Sequence, residues 1–171
     1  MAEIDAQALK KAESYVEQEE GATHRFGGAW GVFLFACAVA MSVFHLYWAY
    51  GVITTTALRY AHVGFVLFLA FLLFPAFPRG RNRFSWLDLA CAVLGVAAMA
   101  YAVAGGDGFL DRSTAPNRAD LFFGVALVLL VLEAARRTSG WIMPFVVCLF
   151  LAYAMLGPWL PAPWKIGRAH V

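Results

Sequence analysis

Charge is what this sequence has least of. Only 14% of its 171 residues are Asp, Glu, Lys or Arg and 62% are hydrophobic, whereas a soluble domain carries about 25% charged and about 45–50% apolar residues. That deficit excludes an ordinary water-soluble domain and makes the chain a membrane protein by composition. Six acids, Glu3, Asp5, Glu13, Glu17, Glu19 and Glu20, crowd into the first twenty residues, so the remainder is poorer still in charge. The formal charge of +2 identifies no partner, and no nucleic-acid partner is expected. A basic segment ahead of a short apolar core is also lacking, which argues against a secretory signal. The acidic start is expected to stay in the cytoplasm. Cysteine is scarce, and Cys37, Cys91 and Cys148 show neither CxxC nor Cys/His ligand spacing. They read as small core residues, not metal ligands or disulfide partners. The chain has no glycine-rich phosphate loop, GxSxG elbow or HExxH pair, so no catalytic residue and no enzymatic activity are expected.

What the chain does have is long apolar runs. A bilayer's hydrocarbon is about 30 Å thick and takes about 20 helical residues to cross. Five runs qualify as candidate spans, at residues 29–50, 60–77, 86–103, 120–135 and 140–156. Each carries tryptophan, tyrosine, proline or arginine near an end, as interfacial anchors and helix stops require. The fourth is the weakest, because its uncharged part, "LFFGVALVLLVL", would cover only about 18 Å at about 1.5 Å per residue.

Orientation follows from the basic residues, since cytoplasmic loops retain positive charge. With the amino terminus inside, Lys10, Lys11, Arg25, Arg79, Arg81, Arg83, Arg136 and Arg137 are cytoplasmic, while Arg59, Arg112, Arg118 and Lys165 are outside. The fold class expected is therefore an all-α membrane protein of about five transmembrane helices, amino terminus in and carboxyl terminus out.

The stretch "VLEAARRTSGW" sets one acid and two arginines between apolar runs. Glu133 has Arg136 and Arg137 as its i+3 and i+4 neighbours on a helix, a spacing that pairs opposite charges. At the cytoplasmic end of the fourth span, both arginines are expected to snorkel to the headgroups and complement the negative end of the helix dipole. Thr138 or Ser139 is expected to cap the next helix, with Pro144 in its first turn. The functional counter-reading is a proton-relay or ion-coordinating Glu133, because intramembrane acids are site candidates by default.

His45, near the outer end of the first span, and His62, near the outer start of the second, are expected at similar depth. They can be read as interfacial hydrogen-bonding rings beside Arg59, or as axial ligands of a haem in a redox membrane subunit. Asp88 and Asp120 read as helix-start acids at the positive ends of helix dipoles, Asp88 with Arg81 or Arg83 for company. Small residues in the third span, Ala90, Gly95, Ala98 and Ala102, predict a surface that lets another helix approach closely. Apolar positions Ile4, Ala8, Ala12 and Tyr15 or Val16 have the spacing of a one-sided amino-terminal helix, read either as lying on the membrane or against a partner or, equally, as a frayed, solvated helix. The final "IGRAHV", residues 166–171, is what a common sequencing adapter encodes when translated, and is expected to be foreign to the natural protein. The natural chain would then continue past Lys165.

"VFHLYWAYG", "LRYAHVGFVLFLAFLLFPA", "WLDLACAVLGVAAMAYAV" and "LVLLVLEAARRTSGWIMPFVVCLFLAYAMLGPWLP", in that order, resemble the amino-terminal part of the fused permeases of TRAP transporters, particularly those paired with TAXI-type binding proteins. The likeness covers roughly residues 25–161. Its most specific points are Arg59 with His62, the "FLLFPA" ending at Ala76, "LEAARR" around Glu133 and the "AYAMLGPWLP" exit.

The resemblance implies a cytoplasmic helical tail (residues 1–26), a small four-helix membrane domain (27–137) and a connecting fifth helix with its exit segment (138–165). It also implies a scaffold, in the bacterial inner membrane, for import of an organic acid such as a dicarboxylate on a cation gradient. The implied partners are a large transport domain, a periplasmic substrate-binding protein and the lipid bilayer. The family's substrate and sodium sites belong to the large domain, so neither cofactor nor metal is expected on these residues. Arg59, His62, Asp88, Asp120, Glu133, Arg136 and Arg137 stand as structural polar positions. Beside the transporter reading stand a haem-binding redox subunit and a free-standing membrane interaction protein.

Overall fold

A computed structural model describes residues 2–20, 27–51, 54–77 and 85–159. The described residues form helices and turns with no strand. Six helices follow in order: α1 (Ala2–Glu20), α2 (Gly28–Tyr50), α3 (Thr55–Leu73), α4 (Trp86–Asp111), α5 (Arg118–Ser139) and α6 (Ile142–Leu156). Arg25, Arg79, Arg81, Arg83, Lys165 and the "IGRAHV" end lie outside the described residues, so the expected company of Asp88 with Arg81 or Arg83 is not part of this description.

The core is built around α3, which packs against α2, α4 and α5. Leu67, Phe71 and Leu72 of α3 are buried with Ala92 of α4, Leu130 of α5 and Leu34 of α2. The closest pairing is α3 with α4, and small side chains make it possible. A methyl group added at Gly95 would stand 3.2 Å from the Cβ of Leu67, and one at Gly64 would stand 3.5 Å from the Cβ of Met99. Gly95, Ala98 and Ala102 therefore face the neighbouring helices as their spacing predicts. Ala90 departs from that stripe and is exposed.

Helix limits follow local chemistry. α3 stops at Leu73 instead of continuing to residue 77, because Phe74 precedes Pro75 and takes the extended conformation (φ −109°, ψ 109°) that a following proline ring enforces. α4 runs past residue 103 by kinking at Gly106 (φ 49°, ψ −138°), a conformation open to glycine because it lacks Cβ. α5 begins in a reciprocal capping box: Asn117 Oδ1 accepts from the Asp120 amide and Asp120 Oδ2 accepts from the Asn117 amide, which settles two orphan helix donors. Neither Thr138 nor Ser139 caps α6. The Thr138 hydroxyl turns back to the Ala134 carbonyl at 3.0 Å, and the α6 N-cap is Trp141 with no side-chain bond. Pro144 does sit in the first turn of α6 and is buried.

Three helical segments, Gly28–Tyr50, Thr55–Leu73 and Trp86–Thr114, are long and apolar enough to cross a membrane. α5 has the length but holds Arg118, Asp120, Glu133, Arg136 and Arg137, and α6 is apolar but only 15 residues long. Large apolar side chains point outward along these helices, among them Phe35, Leu46, Val93, Leu129, Phe145 and Phe150. A helix apolar on its outer faces needs lipid or protein to cover it, so the helices suggest a membrane protein. The described side chains of α1, residues 7–16, are all exposed, including the predicted stripe at Ala8, Ala12, Tyr15 and Val16.

Candidate functional site

The densest polar arrangement lies where α3 ends, α4 begins and α5 ends. Glu133 sits one turn before Arg136 and Arg137 on α5, and the helix brings all three together as their spacing requires. Arg136 donates to the Glu133 carboxylate through Nε and Nη2, both at 2.7 Å, while Arg137 Nε donates to Oε1 at 2.8 Å. Arg137 then reaches across the bundle. Its Nη1 donates to Asp88 Oδ1 at 2.6 Å and to the Phe74 carbonyl at 3.1 Å. Asp88 Oδ1 also accepts the Ala76 amide at 3.2 Å, and Arg136 Nη2 lies 3.4 Å from the Ala76 carbonyl.

Among the described residues, two arginines and two carboxylates make this cluster formally neutral. Neutrality matters because isolated charges are costly away from water, whereas a paired and hydrogen-bonded set can be accommodated. The cluster also satisfies polar groups where the chain leaves α3, groups that no helical neighbour can reach. Asp88 gains further from the amino end of α4, where the helix dipole is positive. Ser85 caps that end by accepting from the Leu87 amide at 3.3 Å.

The two adjacent arginines have different fates, which corrects the expectation that both snorkel to headgroups. The Arg137 side chain is only 2% exposed, and its guanidinium lies 4.8 Å from the Phe71 ring centroid. It is a buried clasp. Arg136, 25% exposed, lies over the Trp141 ring at 5.4 Å and keeps an interfacial character. Successive helix residues point about 100° apart, so one faces the bundle and the other its rim.

The opposite end of the bundle has its own polar node. Asp120 accepts from Arg112 Nε and Nη2, both at 3.1 Å, and from the Tyr101 hydroxyl at 2.7 Å. Asp120 is thus a helix-start acid that also ties α4 and the following turn to α5. Its cap was readable from Asn117 three residues earlier. Tyr101 and Arg112 carried no signal of their own, since only folding brings them near.

His45 and His62 meet directly. His45 Nδ1 lies 2.7 Å from the Met41 carbonyl, so that nitrogen carries the proton and donates. In the neutral pair, His45 Nε2 then accepts from His62 Nδ1 across 2.9 Å. Two imidazoles holding one metal from opposite sides need their nitrogens about 4 Å apart, twice a bond of about 2 Å. The observed contact is too short for that, and the geometry counts against a haem between them. No group of three or more potential metal ligands occurs among the described residues. Arg59 is exposed and borders the same shallow pocket without an ion pair among the described residues.

The histidine contact is a side-chain hydrogen bond between α2 and α3, the one helix that α2 packs against among the described residues. His62→Leu is therefore expected to loosen the carboxyl-terminal half of α2 while leaving the α3–α4–α5 core intact. Hydrogen exchange should rise in residues 41–50 and stay unchanged in residues 90–102. Uniform protection in the variant would show that the aromatic contact of Phe44 with Phe65, 5.6 Å between centroids, holds α2 by itself.

No family model, curated protein or solved structure matches this chain.

Proposed function

We propose that this chain is a multi-span scaffold of a bacterial inner membrane, the small-domain portion and connecting helix of a TRAP-type permease that imports an organic acid on a cation gradient. The observation that carries the scaffold reading is how the charged side chains are used. Asp88, Glu133, Arg136 and Arg137 bond to one another and to the backbone after α3. Such groups hold helices in place, whereas secondary-transporter sites are commonly built from broken helices near the midplane. The kink at Gly106 lies toward the carboxyl-terminal end of α4, beside the Arg112–Asp120 node and away from the helix middle. The family assignment rests on the ordered resemblance of the four segments quoted above. In this reading α5 and α6 are the fourth and fifth spans, the amino terminus is cytoplasmic, and the partners are a large transport domain and a periplasmic binding protein.

Reporters test the topology. A fusion after Arg83 should be active as a cytoplasmic reporter, and one after Asp111 as a periplasmic reporter; reversed activities overturn the orientation. Proteoliposomes carrying this chain alone, given a sodium gradient, a TAXI-type binding protein and labelled dicarboxylates or amino acids, should show no uptake above empty vesicles. Gradient-dependent uptake would place a substrate site within these helices and end the scaffold reading.

A further inference from the structure

A groove between α3 and α4 has the shape and polarity of a lipid site. Its volume is about 530 Å³, and no charged residue lines it. Ala61, Gly64, Ala100 and Ala104 are among the small residues lining it, with Phe65 and Phe68 among the larger ones. Along α3, the lining from Tyr60 to Phe68 advances about 12 Å at about 1.5 Å per residue, close to the roughly 15 Å of one leaflet's hydrocarbon.

The groove does not end blindly. Tyr60 and Val103 are shared with a smaller pocket at the start of α3, where the lining changes to Thr54, Thr56 and Asp107. Asp107 follows the Gly106 kink and is the sole charged residue lining that mouth. It is exposed and makes no ion pair among the described residues, while the nearby Arg112 is committed to Asp120. An apolar channel of leaflet length that opens on an uncompensated carboxylate complements an amphiphile whose head carries an ammonium group.

We infer that this groove binds a phospholipid with a primary-ammonium headgroup, of phosphatidylethanolamine chemistry, with an acyl chain along Gly64 and Ala100 and the ammonium at Asp107. The primary ammonium donates hydrogen bonds to the carboxylate and the threonine hydroxyls, which a quaternary choline cannot do. A helix of another protein or of a second copy would need its own cation at the same height, which the small lining residues do not demand.

The inference rests on the membrane reading, and the test separates the two. The full chain is reconstituted in vesicles of equal phosphatidylethanolamine and phosphatidylcholine, extracted gently, and its retained lipid and oligomeric state read by native mass spectrometry. The wild type should retain phosphatidylethanolamine about fivefold over phosphatidylcholine, the scale of one net hydrogen bond that the choline head cannot make. Asp107→Asn should abolish that preference. Ala100→Phe, at an exposed position in the groove, should reduce retention of both lipids several-fold without changing the melting temperature. Equal retention by the wild type, an undiminished preference in Asp107→Asn, or an Ala100→Phe variant that loses a dimer instead of a lipid would each overturn the lipid site. Recovery of the wild-type chain from the soluble fraction, instead of washed membranes, would overturn the membrane reading itself.

Discussion

Arg137→Leu is expected to destabilise the helix bundle by about 3–5 kcal/mol, the range found when one member of a buried ion pair is removed. The loss is large because Asp88, fully buried, and the Phe74 carbonyl both depend on the same Arg137 nitrogen. Removing that nitrogen takes a charge-assisted bond from a carboxylate and a bond from a carbonyl inside the α3–α4 junction, where water cannot enter without opening it. The neighbouring substitution provides the contrast. Arg136→Leu leaves Glu133 bonded to Arg137 and removes a partly exposed partner, so its cost should be about 1 kcal/mol or less.

The double variant Asp88→Leu/Arg137→Leu should recover part of the loss, because an apolar pair of similar volume needs no compensation. Melting temperature and folded yield in detergent check the series. Equal stability of the Arg137→Leu and Arg136→Leu variants would show that the buried pair does not hold the bundle together. Glu133→Gln should behave as a milder member of the series, lowering folded yield because Gln accepts fewer charge-assisted bonds. In a full permease, normal abundance of that variant with lost transport would instead mark Glu133 as a coupling residue.

The second large effect is expected at Gly95. A leucine there must fit where even a methyl group would stand 3.2 Å from Leu67 Cβ, 3.4 Å from Leu67 Cδ1 and 3.9 Å from Leu130 Cδ1. Those atoms belong to the buried core shared by α3 and α5, so the side chain can be housed only by moving α4 away from both. Overpacking of this kind costs about 1–3 kcal/mol, and the separation should propagate along the α4 face that carries Ala92 and Ala98.

Gly95→Ala is the informative control. Its gain in helix propensity, about 1 kcal/mol, opposes the squeeze against Leu67, so the net change should be small. A cysteine cross-link between α3 and α4 that forms in wild type and Gly95→Ala, but not in Gly95→Leu, would register the displacement. Full stability and cross-linking in Gly95→Leu would mean that the close approach of α3 and α4 is not a feature of the folded protein.

Helices were readable in the chain itself because an apolar run long enough to cross hydrocarbon needs no tertiary partner to be recognised. The pairing of Glu133 with Arg136 and Arg137 was equally readable, since three- and four-residue spacing on a helix already makes them neighbours. So was the small face of α4 at Gly95, Ala98 and Ala102, from residue size alone. The end of α3 at Leu73 lay within reach too, because Pro75 constrains the residue before it.

What the one-dimensional pattern did not hold is which way each polar side chain points. Asp88 and Arg137 are 49 positions apart, and Tyr101 and Asp120 are 19 apart, so no local periodicity links them. His45 and His62 could be placed at similar depth by counting residues, but only the packing of α2 on α3 brings their nitrogens to 2.9 Å. The difference between Arg136 at the rim and Arg137 in the core comes from the rotational phase of α5 against α3 and α4. Buried contacts such as Leu130 against Leu67 set that phase. A helix dictates which of its own residues are neighbours, but the direction a face takes is decided by what the whole bundle presses against it.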